Sequence, residues 1–136
     1  EIHMMKNIKK SVIAGALALA MVGTAVPVTA NASTITKSGS YSNVSLSKTS
    51  TGNTTVRATA TGTNKSGAAR YMAVYTRQGA SYAVSAVSSS SVGVVNSGSS
   101  KSTTANNINR SCYANTVIYS GTSSNSSVLE SIHVPD

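Results

Sequence analysis

The clearest fold signal lies in residues 54–77, TTVRATATGTNKSGAARYMAVYTR. Residues 54–61 alternate polar side chains with a valine and two alanines, which is the period of a β-strand with one buried face. Residues 62–67 are rich in residues that tolerate tight turns, and residues 68–77 again have a strand pattern. We predict that the two strands pair as a hairpin.

Five other segments have strand periodicity and are bounded by turn residues: residues 42–48, 81–88, 92–95, 111–120 and 126–134. The residues before the first strand form a polar lead, and residues 96–109 have the composition of a flexible loop. Regularly spaced short strands are typical of sandwiches and small barrels. The predicted fold class is all-β, a small antiparallel β-sandwich of about seven strands, Ig-like or jelly-roll-like.

The chain begins with the three parts of a secretory signal peptide. Lysines within residues 6–10 precede an apolar run at residues 12–22, and small residues follow as far as Ala32. The apolar run is shorter than the ~20 residues that a membrane-spanning helix needs. The leader is of the type found in small exported proteins of Gram-positive bacteria.

This leader divides the chain into three parts. We expect residues 1–4 to be an added scar or a misplaced start, and residues 5–32 to be the signal peptide, cleaved near Ala32 or after Ala30. Residues 33–136 then form a single secreted β domain, with no transmembrane segment in the mature chain. The expected location is extracellular.

The charge of the predicted mature part favours anionic partners. Residues 33–136 hold eight lysines and arginines but only two carboxylates, Glu130 and Asp136, so the net charge is +6. Such a field attracts an anionic cell-wall polymer or glycan. The basic residues are spread singly along the sequence, and we therefore predict no dedicated nucleic-acid site.

The predicted core is thin. Serine and threonine make up 39 of residues 33–136, whereas valine, leucine and isoleucine together make up 17 and phenylalanine is absent. A fraction this low approaches the composition of disordered chains. We still expect a folded domain, because the apolar residues are concentrated in alternating segments and threonine, valine and tyrosine suit a half-buried sheet.

The side chains that catalysis requires are nearly absent. Beyond the leader, the titratable candidates are Cys112, Glu130, His133 and Asp136. In a strand over residues 126–134, Glu130 and His133 have opposite parity, and Val128, Ile132 and Val134 share a face. The four candidates also lack the spacing of a zinc site. We expect no catalytic residue, no metal site and no cofactor, and hence no enzyme.

Cys112 is a single thiol in a chain predicted to be exported. A lone extracellular cysteine suggests a free reactive group or an intermolecular disulfide. It also lies in an apolar segment, and free cysteine is among the most frequently buried residue types. We favour burial, and the sequence does not fix the oligomeric state.

The tyrosines supply the one candidate binding site. Tyr71, Tyr75 and Arg77 share a strand face, and Arg70 lies nearby on the other face. Tyrosine offers apolar area with a polar tip, which suits a sugar or peptide ligand. The alternative is that the rings fill the core, with Met72 and Val74 turned outward, and the shortage of large apolar residues favours it.

These observations lead to three functional hypotheses. The first is a secreted, non-enzymatic β-sandwich that binds an anionic or saccharide-rich surface. The second is a bacteriocin-like or toxin-like protein that acts on the envelope of other cells. The third is a structural subunit that self-assembles through strand edges.

Overall fold

The computed structural model describes residues 32–136. These residues form eight β-strands and a short 3₁₀ turn, arranged as two antiparallel sheets of four strands. The all-β prediction is confirmed, and the arrangement is compatible with a β-sandwich. The predicted scar and signal peptide lie outside the described residues, apart from Ala32.

The strands follow one another as β1 Ala32–Ser38, β2 Ser42–Ser50, β3 Thr55–Asn64, β4 Arg70–Gln78, β5 Ala86–Val95, β6 Ser100–Asn109, β7 Cys112–Tyr119 and β8 Val128–Val134. The first sheet has the order β1-β2-β3-β6, and the second has the order β5-β4-β7-β8. The chain therefore crosses between the sheets after β3, after β5 and after β6.

The predicted hairpin between β3 and β4 is wrong. Both segments are strands, but β3 pairs with β2 and β6 whereas β4 pairs with β5 and β7. The alternation correctly indicates that each strand has a buried face. Two such strands can pack face to face as well as edge to edge, and here Val56, Ala58 and Ala60 of β3 lie in the same buried cluster as Val74 of β4.

Asn64 holds two of the crossings together. This last residue of β3 is fully buried, and its Nδ2 donates hydrogen bonds of 2.8 Å to the carbonyl oxygens of Ala68 and Val95. Its backbone N–H donates to the carbonyl of Ser99, and its carbonyl accepts from Gly98 N–H. Because a buried polar group costs stability unless it is paired, the position requires a side chain that reaches both connections.

The sequence analysis missed strands β1 and β6. We expected a polar lead and a flexible loop there, but both segments pair along the edges of the first sheet. Their side chains are mostly exposed and polar. Hydroxyl groups lie 2.7–2.8 Å apart across β3 and β6, in the pairs Thr59–Thr104, Thr61–Ser102 and Thr63–Ser100. A strand stabilised by cross-strand hydroxyl pairs has the composition of a linker, which explains the error.

The predicted strand over residues 81–88 is correct only for residues 86–88. Residues Tyr82–Val84 form the 3₁₀ turn, and one continuous strand, β5, joins residues 86–88 to the predicted strand over residues 92–95. Thr76 pairs with Ser89 and Arg77 with Val87, so the residue between these partners on β5 is a bulge. Because of the bulge, Val87 and Val92 both pair with outward-facing positions of β4, although their residue numbers have opposite parity.

A second bulge changes the face of Val128. Ile118 pairs with Glu130 but Tyr119 pairs with Val128, so Leu129 is the extra residue. Val128 is therefore turned outward and is 53% exposed, which contradicts the predicted common face with Ile132 and Val134. Leu129 packs instead on a small buried cluster of Met72, Val95 and Ile118.

The core between the sheets contains aliphatic side chains, a methionine, a cysteine and alanines, and no aromatic ring. The sheets approach closely at Gly62, where an added Cβ would stand 2.7 Å from Thr116 Oγ1 and 2.8 Å from Val74 Cγ2. At this position the gap between the sheets leaves no room for a side chain. The predicted thin core is the one observed in the described residues.

Replacing Asn64 with alanine tests the role of this side chain. We expect Asn64→Ala to lower the free energy of unfolding by about 2–3 kcal/mol, because two inward-facing carbonyls lose their donor. Urea unfolding followed by circular dichroism measures the change. Asn43→Ala is the matched control, since Asn43 accepts a hydrogen bond only from the exposed Ser38 hydroxyl. Equal losses in the two variants would contradict this role.

Candidate functional site

The outward side of the second sheet carries five of the six tyrosines, together with an arginine and a histidine. We call this surface the tyrosine face. It arises because β4 and β7 alternate, with aliphatic and threonine side chains turned inward and long aromatic ones turned outward. The tyrosines of the face are Tyr71, Tyr75, Tyr82, Tyr113 and Tyr119.

The structure brings three of the four predicted binding residues onto this face. Met72 and Val74 are fully buried, so Tyr71, Tyr75 and Arg77 of the same strand are turned outward. The alternative in which the rings fill the core is wrong, because the fully buried Met72 and Val74 take the inward positions of β4.

Arg70 lies apart from these three, with the opposite parity, at the start of β4. Its Nε donates to Ser66 Oγ at 3.0 Å, and its Nη1 donates to the carbonyl of Ser120. The guanidinium is thereby fixed at one end of the tyrosine face, beside the residue that follows Tyr119.

The guanidinium of Arg77 is held against two aromatic rings. Its Cζ lies 5.0 Å from the ring centre of Tyr75 and 5.7 Å from that of Tyr82. Both distances are within the range of a cation–π interaction. Its Nε also donates to Asn115 Oδ1 at 3.3 Å. The arginine therefore has a fixed orientation before any ligand arrives.

Asn115 is a positioning residue beneath this arginine. It has the outward parity of β7 yet is only 1% exposed, because larger side chains cover it. Its Nδ2 donates to Ile132 O at 3.0 Å and to Ser131 Oγ at 3.3 Å. These bonds to β8 leave its Oδ1 free to accept from Arg77.

His133 extends the aromatic cluster to β8. Its ring stacks on Tyr82, with ring centres 3.7 Å apart and planes inclined by 6°. Tyr113 meets both rings edge to face, at 5.9 Å from Tyr82 and 6.4 Å from His133. We call Tyr75, Arg77, Tyr82, Tyr113 and His133 together the Arg77 end of the face.

The phenol of Tyr75 lies at the centre of the tyrosine face. Burial raises its pKa, the nearby Tyr119 raises it further, and the Arg77 charge lowers it by a smaller amount. Because the pKa of this phenol lies above its ordinary value, the group stays protonated at neutral pH. It therefore remains a hydrogen-bond donor as well as an acceptor.

Both side-chain carboxylates of the described residues bind groups outside the tyrosine face. Asp136 forms an exposed ion pair of 2.6 Å with Lys37, and this pairing lowers the pKa of Asp136. Asp136 is also close enough to His133 for that residue to contribute to its lowered pKa. Glu130 projects from the inner side of β8 toward the turn between β1 and β2. The tyrosine face consequently carries cations with no carboxylate among its side chains.

Glu130 binds the β1–β2 turn through four hydrogen bonds. Its Oε2 accepts from Ser40 N–H at 2.7 Å, and its Oε1 accepts from Tyr41 N–H and from the N–H and hydroxyl of Ser42 at 3.0–3.1 Å. Burial alone would raise the pKa of this carboxyl, but these donors outweigh burial and hold the pKa below its ordinary value.

The fold also gathers basic residues that are dispersed in the sequence. Lys48 Nζ donates to the carbonyl of Arg110 at 3.2 Å. We call Lys48 and Arg110 the basic cluster, and Arg57 lies apart from it on the outer face of the first sheet. It lies at the same end of the domain as Arg77, since Gln78 Oε1 accepts from the N–H of Asn109.

The candidate catalytic side chains are not brought together. Cys112 is 2% exposed within the core, where burial raises the pKa of its thiol, with nearby Lys48 opposing the shift. Glu130 is turned inward and His133 outward, as their opposite parity predicted. Burial of Cys112 favours a packing role over the intermolecular disulfide considered above.

The sequence analysis missed several members of the Arg77 end. The alternation of β7 places Tyr113, Asn115 and Tyr119 on one face, a signal that was present in the sequence. Nothing in the sequence indicated that Tyr82 and His133 would stack, because they lie far apart in the chain and in different elements.

Comparison with known proteins gave no match: neither a family model, nor a curated protein, nor a solved structure matches this chain. Among the described residues, no helix is long and apolar enough to cross a membrane. No group of metal-binding side chains occurs within residues 32–136 either. The geometry of the tyrosine face is therefore the basis for a functional proposal.

We expect Glu130→Gln to destabilise the protein by about 2 kcal/mol, since the hydrogen bonds lose their charged acceptor. In the wild type, the contribution of Glu130 is complete above its ordinary pKa of 4.5 and is lost as the pH falls through the lower folded-state pKa. Urea midpoints measured across acidic pH should converge for the two proteins at the lowest pH.

Two further variants sharpen this prediction. Gly39→Ala should also destabilise, because an added Cβ would stand 2.5 Å from Glu130 Cδ. Asp136→Asn should change the stability little, since it removes only an exposed ion pair. A constant difference between wild type and Glu130→Gln at every pH would refute the electrostatic explanation.

Proposed function

We propose that this protein is a secreted, non-enzymatic binding protein that recognises an anionic polysaccharide at a cell surface. The observation that carries the proposal is the orientation of Arg77, held between Tyr75 and Tyr82 by the buried Asn115. The ligand group is an oxyanion carried by a sugar chain, such as the carboxylate of a uronic acid.

The preorganised arginine supports recognition of an oxyanion. Among the guanidinium nitrogens of Arg77, only Nε donates to a protein acceptor within residues 32–136. Both Nη groups therefore remain available to a ligand. A guanidinium presents its donors in a planar fork that matches carboxylates, phosphates and sulfates. Since the rings and Asn115 already fix this side chain, less rotamer entropy is lost when it binds.

The surrounding rings support a sugar chain as the carrier of the anion. Tyrosines offer flat apolar area beside a hydroxyl that can donate or accept a hydrogen bond. Sugars have the complementary combination of apolar C–H faces and hydroxyl edges. Tyr82, Tyr113 and His133 pack on one another and form a continuous aromatic surface next to Arg77.

The charge distribution supports a polymer that carries anionic groups at intervals. The basic cluster lies at the same end of the domain as Arg77, and both carboxylates are engaged elsewhere. A polyanion longer than one sugar can therefore approach Arg77 and the basic cluster together. Such binding is expected to weaken as salt screens the charges.

The proposal includes the location and the finer fold assignment. The basic, apolar and small-residue order of residues 5–32 supports export and release of residues 33–136. The two packed four-stranded sheets support a β-sandwich of the Ig-like or jelly-roll-like kind. The absence of an assembled set of acid, base and nucleophile in residues 32–136 supports binding rather than catalysis.

Self-assembly through strand edges has less support. The edge strands of the first sheet, β1 and β6, carry Lys37 and Lys101 at positions that pair with inward-facing residues of their neighbours. Inward-pointing charges on edge strands oppose edge-to-edge pairing with another molecule.

The test compares two substitutions that remove one positive charge each. Arg77→Gln should weaken binding to polygalacturonate about tenfold or more, the effect of losing a charge-assisted hydrogen bond of about 1.5–3 kcal/mol. Arg57→Gln is the matched control, because it lowers the net charge equally but lies in the first sheet. Isothermal titration calorimetry measures both affinities, and the uncharged polysaccharide dextran is the control that should not bind.

The proposal fails if wild-type protein does not bind polygalacturonate. It also fails if the two variants lose affinity equally, since the interaction would then depend on net charge and not on the site at Arg77. Unfolding midpoints of both variants should match wild type, because both positions are on the surface.

A further inference from the structure

We propose that the opposite end of the tyrosine face docks onto an anionic lipid bilayer. The docking surface comprises Tyr71, Val92, Val94, Tyr119 and Val128, and we call it the valine end. It goes beyond the polysaccharide site, because along β4 the six residue steps from Tyr71 to Arg77 span roughly 20 Å.

The valine end is a continuous apolar surface. Val94 pairs with Tyr71, and Val128 pairs with Tyr119 across the neighbouring strands. The two tyrosine rings meet edge to face, with centres 5.3 Å apart, and so join the two pairs into one row. Val92 begins the next row beside Ala73.

These valines are exposed to an unusual degree for grouped aliphatic side chains. Val92 is 50%, Val94 is 52% and Val128 is 53% exposed. Single exposed valines need no explanation, whereas a contiguous apolar patch indicates an interaction surface. The domain has few aliphatic side chains, so valines placed on the surface leave fewer aliphatic side chains to pack in the core.

The charges around the patch complement an anionic surface. The Arg70 guanidinium binds the carbonyl of Ser120 and so borders the row that ends at Tyr119. No carboxylate of residues 32–136 lies on this face. Basic residues near an anionic lipid surface strengthen such binding.

This combination matches a lipid interface better than a protein surface. Tyrosine favours the boundary between headgroups and acyl chains, because its ring is apolar and its hydroxyl remains hydrated. Valines that project from a sheet can enter only the outer part of the acyl region. The expected interaction is therefore shallow, reversible and dependent on both anionic lipid and ionic strength.

The test is flotation of the purified protein with vesicles. We expect binding to vesicles that contain one third phosphatidylglycerol in phosphatidylcholine, and none to pure phosphatidylcholine. The double variant Val92→Ser/Val94→Ser should reduce the vesicle-bound ratio about tenfold, as two aliphatic side chains no longer leave water. Val84→Ser/Val87→Ser is the matched control, since these valines are similarly exposed but lie outside the valine end.

Several results would overturn the proposal. It fails if wild-type protein does not float with anionic vesicles, or if both double variants lose binding equally. It also fails if wild-type protein is a dimer that Val92→Ser/Val94→Ser converts to a monomer, since a second copy would then cover the patch.

The two functional proposals can fail separately. Arg77→Gln should lose polygalacturonate affinity and keep most vesicle binding, and Val92→Ser/Val94→Ser should show the reverse. Unfolding midpoints close to wild type are required of each variant, so that a loss of binding is not a loss of fold.

Discussion

The carboxylate of Glu130 is the interaction on which the arrangement of the two sheets depends. It leaves the second sheet and accepts four hydrogen bonds from the turn between β1 and β2 of the first sheet. One of its donors, Ser42, pairs across the first sheet with Asn64, and both are fully buried. A connected polar cluster thus fixes the sheets at one end, where a larger domain would use bulky apolar side chains. Its removal would leave several backbone donors without an acceptor.

The thin core also determines where the tyrosines lie. Alanines and Gly62 on the inner face of the first sheet let the second sheet approach until a single added Cβ would collide with Val74. No ring fits in such a gap, and the large side chains of β4 and β7 must be accommodated on the outside. The aromatic face that we propose to bind ligands is therefore a direct consequence of how little apolar volume the sequence supplies.

The sequence predicts those features whose signal is apolar alternation. It predicted strands at β2, β3, β4 and β7, and the common face of Tyr71, Tyr75 and Arg77. It did not predict β1 and β6, because strands held by hydroxyl pairs show no apolar period. It also did not predict which strand packs on β3, because alternation identifies a buried face but not the element that covers it. The stack of Tyr82 on His133 depends on a 3₁₀ turn outside the sheets, which no apolar alternation marks.

Most side chains that stabilise the fold are distinct from those exposed on the tyrosine face, so the face can vary in sequence while the fold is kept. Both side-chain carboxylates bind other parts of the chain, so Arg77 forms no ion pair within the described residues. Most side chains of the face are not needed by the core, and their substitution should change binding with little effect on stability. Asn115 is the exception, because it is buried, binds the backbone of β8 and orients Arg77. At this one position the requirements of folding and of binding coincide.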